Sequence, residues 1–182
     1  MRDMNMGKVA AVASFGLLAL GVIGTVAAGN VGSAETSWPS VDSAIFDGLP
    51  RDVVSEVLAN PQAQDNVQIW PADATEQRNA LWQGMVINFV QCRQLLGIYQ
   101  AWEVSSSAPE LPPVTLPANP VGSVVKDASV VDSFYRSEIA SGDIARLRAD
   151  LTNESGCGAW IPVKPGDSSG PTIASLVGGN AT

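Results

Sequence analysis

Cys92 and Cys157 are the only two cysteines of the 182-residue chain, and no histidine accompanies them. An even cysteine count in an exported chain predicts a disulfide. Closing so long a loop contributes about 4 kcal/mol in the chain-entropy treatment. A single thiol pair without histidine makes a poor metal site. The missing imidazole also removes the Ser-His-Asp and Cys-His arrangements and every zinc site with histidine ligands. Catalysis would have to rest on carboxylates, Lys or Tyr. Carboxylates are plentiful, Glu103 and Glu110 among them, but their positions along the chain do not assemble a site. No catalytic residue, cofactor-binding residue, cofactor or metal ligand is therefore predicted. The remaining chemistry is aromatic. Trp38, Trp70 and Trp160 fall outside the periodic stretches, and the first two each precede a proline. They are the candidate contacts for a ligand or partner.

The segment Gly-Asp-Ser-Ser-Gly at 166–170 resembles, over a few residues, the GDSGG around the nucleophile of chymotrypsin-like proteases. Its glycines are differently ordered and no histidine exists to act as base, so it reads as a loop. No phosphate-cradling loop, dinucleotide fingerprint or calcium loop is present.

These residues must be positioned by helices. The longest periodic stretch without proline runs from about residue 73 to 104. Its apolar residues Leu81, Trp82, Met85, Val86, Phe89, Val90, Leu95, Leu96, Tyr99 and Trp102 recur every three or four positions. Gln83 and Gln91 fall mostly on other faces. Asp73 and Glu76 have capping-box spacing, and Gly84 and Gly97 offer places for another helix to approach. Shorter helices are predicted at 51–59, ended by Asn60-Pro61, and at 127–141, with Val130, Val131, Phe134, Tyr135 and Ile139 inward. Gly142 stops that helix and Asp143 caps a continuation with Ile144, Leu147 and Leu151 inward. Residues 40–48 predict a short turn with Ile45 and Phe46 buried. Residues 62–68 read as a polar connection. Five prolines between 105 and 121 predict an extended connector. Arg146 and Arg148 read as solvated or paired with Asp143 and Asp150. The fold class is thus all-α: a small helical bundle around one long central helix, a Pro-rich connector, and an irregular disulfide-tied C-terminal segment. The divisions are 41–161 for the helical domain and 162–182 for an irregular tail.

Ahead of this body, Arg2 and Lys8 precede residues 9–28, twenty residues without a charge. As a helix these would span the roughly 30 Å hydrocarbon core. They predict a signal peptide cut after Ala28, or an uncleaved transmembrane signal anchor that attaches the chain to the membrane through residues 9–28. Residues 29–40 read as a flexible spacer. The basic residues lie before the apolar run, so the body is translocated in either case. It holds eight Lys and Arg against seventeen Asp and Glu, which argues against nucleic acid as a partner. The body, rich in Ala, Val, Gly and Pro and poor in Lys, resembles envelope proteins of high-GC bacteria in composition. The expectation is a secreted or outer-face-anchored, extracytoplasmic, non-enzymatic binding or accessory factor of the cell envelope, with an envelope protein or small ligand as partner. The alternatives are a membrane-anchored accessory subunit of a larger envelope complex and a carboxylate-dependent hydrolase.

Overall fold

The computed structural model describes residues 41–105, 107–153, 157, 161–164, 166–167 and 170–179. The apolar run 9–28, the spacer 29–40, Trp38 and Trp160 lie outside the described residues. The chain is mostly helical. A 3-10 turn at Ser43–Phe46 leads to α1 (Arg51–Ala59), α2 (Pro61–Gln68), α3 (Thr75–Ser105), α4 (Val124–Ser141), α5 (Ile144–Thr152) and α6 (Ile173–Gly179). There is no strand among the described residues, only an isolated bridge between Pro162 and Thr172.

α3 has 31 residues, a rod of about 46 Å at 1.5 Å per residue. It packs against α1, α2, α4, α5, α6 and the 3-10 turn. Neighbours on several sides mean that more than one face must be apolar or bonded. Val86, Phe89 and Leu95 are fully buried, but so is Gln83, and Gln91 is buried too. The expectation that these glutamines face outward is corrected. The Gln83 Nε2 donates to the carbonyls of Ile45 (2.6 Å) and Asn119 (2.7 Å), and its Oε1 accepts from Val121 N–H at 2.8 Å. One amide side chain thus ties the 3-10 turn and the Pro-rich connector to α3.

The helix starts later than the capping-box spacing implies. Arg78 N–H donates to the Ala74 carbonyl, so the ladder opens at Ala74, and Asp73 stands one residue too early to cap it. Gly97 is exposed, and a methyl group there would meet nothing within 4 Å. It is not a point of close helix approach.

α1 matches its expected bounds, with Val53 and Val57 buried. Residues 62–68 are corrected from connection to helix. The Asn60 side chain accepts from the N–H groups of Gln62 (2.9 Å) and Ala63 (3.2 Å), and Pro61 occupies the first turn. Proline suits that position because its missing N–H has no partner there anyway. Ala63 and Val67, four apart, are both fully buried.

The connector after α3 is extended, with Leu111 and Pro117 buried. Ala118 N–H donates to Asp47 O at 2.6 Å. This approach requires glycine at 48, where φ is +86° and a Cβ would stand 3.0 Å from the Ala118 nitrogen.

α4 begins at Val124 rather than at 127 because Val124 and Ala128 extend the buried stripe back from Tyr135. Val130 lies off that stripe and is 54% exposed, which corrects its inward placement. Gly142 is left-handed at φ +77° and its N–H donates to Ile139 O. Asp143 then caps α5 by accepting from Arg146 N–H at 3.1 Å. Leu147 and Leu151 are fully buried. The tail is corrected as well. Residues 173–179 form α6, which packs on α5 and α3, and Ile173 and Val177 carry it into the core. Burial of these two side chains offsets a Gly- and Ser-rich composition that alone would not hold a helix.

Candidate functional site

Cys92 and Cys157 are bonded, with Cα atoms 5.3 Å apart, and both are buried. Cys92 lies on the buried part of α3, so the bridge fixes the segment between α5 and α6 to that helix. One residue on, Arg93 reinforces the tie. Its Nη2 meets both oxygens of Glu56 of α1, at 2.6 and 2.8 Å. Its Nε and Nη2 also donate to the Pro162 carbonyl, at 3.2 and 3.0 Å. The guanidinium stands 5.7 Å from the Phe89 ring centre. The side chains are only 14% and 5% exposed for Arg93 and Glu56.

Of the three tryptophans singled out as contacts, Trp70 alone falls among the described residues. It is 43% exposed in the turn between α2 and α3, beside Ile69 at 64%. It lines no groove. A groove does exist elsewhere, at the C-terminal end of α3, with a volume of ≈ 590 Å³. Trp102, Pro109, Leu111, Ile139 and Gly142 supply its apolar wall, and Glu110 and Arg136 its polar groups. The connector forms one side and the end of α4 another. Arg136 holds them together: it bonds Asp132 through Nε (2.8 Å) and Nη2 (3.2 Å), and donates to the carbonyls of Leu111 (2.9 Å) and Pro112 (3.0 Å). Most of its donors are thereby used within the protein. Ser107 adds a further polar group, so the lining is mixed and suits a ligand or side chain that has both apolar and polar parts. Glu103 is not paired with Glu110 in a site; it accepts from the Tyr99 hydroxyl. That bond and its neighbouring charge, after burial, raise the Tyr99 hydroxyl above its usual range.

A second constellation lies where α4 meets α5. Glu138 is 4% exposed. Both its oxygens and Oδ2 of Asp150 are shut from water. Arg146 reaches back from α5 to form an ion pair with Glu138 and covers the Phe134 ring at 5.7 Å. Arg146 therefore pairs with Glu138, and its bond to Asp143 is made by its backbone N–H as the cap. Arg148 instead donates to the Val177 carbonyl of α6 at 3.3 Å. Burial first, then a hydrogen bond to Asp150 and the charge of Asp150, push the Glu138 carboxyl up to about 7, while Arg146 pulls it down. Tyr135 is likewise raised, by burial and by the charges of Asp150 and Glu138.

No metal-binding group of three or more Asp, Glu or Cys side chains occurs among the described residues. No helix among them is long and apolar enough to cross a membrane. Glu56, Arg93 and Glu138 were not singled out by type. Their signal was positional: Glu56 falls between Val53 and Val57, and Glu138 three residues after Tyr135, each inside an apolar stripe. Comparison with known proteins finds no matching family model, no matching curated protein and no matching solved structure.

Proposed function

We propose that this chain is an exported, non-enzymatic helical bundle built round α3 that acts in the cell envelope as a binding or accessory factor. The observation that carries the reading is the Cys92–Cys157 bridge in a chain whose residues 9–28 have the form of a translocation segment. The apolar groove at Trp102 supports the binding part. It offers a small ligand, or a side chain of an envelope protein, an open cleft of mixed apolar and polar character.

Fractionation of the native host with thiol labelling tests this. The expected result is protein in the extracytoplasmic fraction with no free thiol. Protein in the cytoplasm with two reactive thiols would end the reading. A second reading, an anchored accessory subunit, is favoured by the twenty-residue length of the uncharged run, long enough to span the hydrocarbon core. N-terminal sequencing separates the two: a mature protein beginning at Gly29 means secretion, and retention of residues 1–28 means anchoring.

A further inference from the structure

Two helices end at the same cleft. α3 stops at Ser105 and α4 at Ser141. Trp102 from the last turn of α3, with Ala140 and Gly142 from the end of α4, lines the groove. The final carbonyls of a helix have no partner within it and together carry roughly half a negative charge. Neither last turn holds a basic residue to offset this. Glu110 adds a full negative charge from the connector. It is exposed, and no described residue bonds its carboxylate. Arg136 is the cation in the lining, but both oxygens of Asp132 meet it, and it also donates to the carbonyls of Leu111 and Pro112. Its charge is thereby matched within the protein. The cleft is left with a negative field over a wall that includes an indole and a proline.

We propose that this groove receives an arginine side chain carried by an extended basic segment of a partner protein, with the guanidinium against Trp102 and paired with Glu110. The assignment rests on the groove being the binding site proposed above, and it names what enters. The field selects a cation. Among cations, the guanidinium fits best: its plane lies on an aromatic face while its fork of N–H groups meets a carboxylate. A lysine ammonium meets the same field as a point charge and has no plane to stack. The cleft, at ≈ 590 Å³, is larger than one side chain, so the backbone on either side of the arginine has room along the connector. A small amine would leave most of that space unused. The body's eight Lys and Arg against seventeen Asp and Glu draw a basic segment from solution and repel an acidic one.

Titration of the full chain, disulfide intact and in an uncharged detergent, with an acetylated and amidated Gly-Gly-Arg-Gly-Gly peptide tests this. The signal is the Trp102 indole N–H in NMR spectra. The peptide is expected to shift it. The counterpart with citrulline, which keeps the shape and loses the charge, should bind about tenfold more weakly or worse, and the lysine peptide about threefold more weakly. Glu110→Gln should weaken the arginine peptide about tenfold. Glu76→Gln removes an equally exposed carboxylate from the first turn of α3 and should change binding by about twofold or less, as expected for a distant screened charge. Should a variant fail to fold, the arginine and citrulline peptides on the wild type still decide. Equal binding of those two peptides would overturn the proposal. So would an equal effect of Glu76→Gln and Glu110→Gln, which means diffuse attraction to an acidic surface. Tetramethylammonium binding as tightly as the arginine peptide would replace the partner segment with a small ammonium ligand. A Trp102 shift from the citrulline peptide with none from the arginine peptide ends this assignment and leaves the groove a binding site; no shift from either peptide, or from tetramethylammonium, counts against both.

Discussion

Replacing Glu56 with alanine is the sharpest test of how the fold is held. The carboxylate sits on α1 at 5% side-chain exposure and meets the Arg93 Nη2 twice within 2.8 Å. Its removal leaves a largely buried guanidinium without its counter-charge, a change that costs roughly 3–5 kcal/mol. Arg93 keeps its two bonds to Pro162 and the face of Phe89, so the expected loss is about 3 kcal/mol, the low end of that range. Arg93→Ala should cost more, about 4–5 kcal/mol, because the orphaned carboxylate is the more buried partner and the Pro162 carbonyl also loses its donors. In the double mutant the two losses are not additive. A coupling of about 1.5–3 kcal/mol is expected for a charged pair in contact. For a domain of this size the Glu56→Ala change corresponds to a fall in Tm of roughly 10 °C. Urea unfolding followed by circular dichroism at neutral pH, with the disulfide intact, measures all four corners of the cycle. A Glu56→Ala loss below about 1 kcal/mol, or strict additivity, would refute the claim that this pair clamps α1 to the C-terminal segment.

Cys92→Ser should lower stability by about 2–4 kcal/mol; reductant should lower the wild-type Tm to a similar degree and leave the mutant's unchanged. Phe89→Ala, at a fully buried position, should cost about 3–5 kcal/mol in urea unfolding. Gly97→Ala should raise stability by about 0.5–1 kcal/mol, since the added methyl meets no neighbour within 4 Å and the helix loses a glycine. A loss on that substitution would place a partner against this stretch of α3.

The elements legible in the sequence were those with two concordant signals. α1 had both an apolar stripe and bounding prolines. The bend at Gly142-Asp143 had a left-handed stop followed at once by a cap, and both roles are filled. α2 is hidden in the sequence because Asn60-Pro61 reads as a terminator alone. The pair ends α1 and starts α2, since Asn60 caps the second helix with the same side chain that stands at the end of the first. α6 could not be read locally. Its helix depends on Ile173 and Val177 meeting α5 and α3, a tertiary fact invisible in a Gly- and Ser-rich segment. The buried polar residues were hidden by the assumption that α3 has one wet face. A helix contacted on several sides has little room for one, and Gln83 shows how the polar group is then accommodated.

That accommodation follows a rule set by backbone chemistry. The chain between helices is rich in proline, which brings a carbonyl but no N–H. Such segments cannot satisfy their carbonyls in a ladder, and buried carbonyls need donors. Donors must then come from helix side chains. Gln83 reaches Ile45 and Asn119, Arg136 reaches Leu111 and Pro112, and Arg93 reaches Pro162. These three long donors fasten the 3-10 turn, the connector and the segment at Pro162, the connector being held by both Gln83 and Arg136. Arg93 and Arg136 each bring a carboxylate with them, Glu56 and Asp132, because a cation drawn against a partly buried backbone needs a counter-charge. Replacing either arginine by leucine would keep the packing and still release the segment it holds.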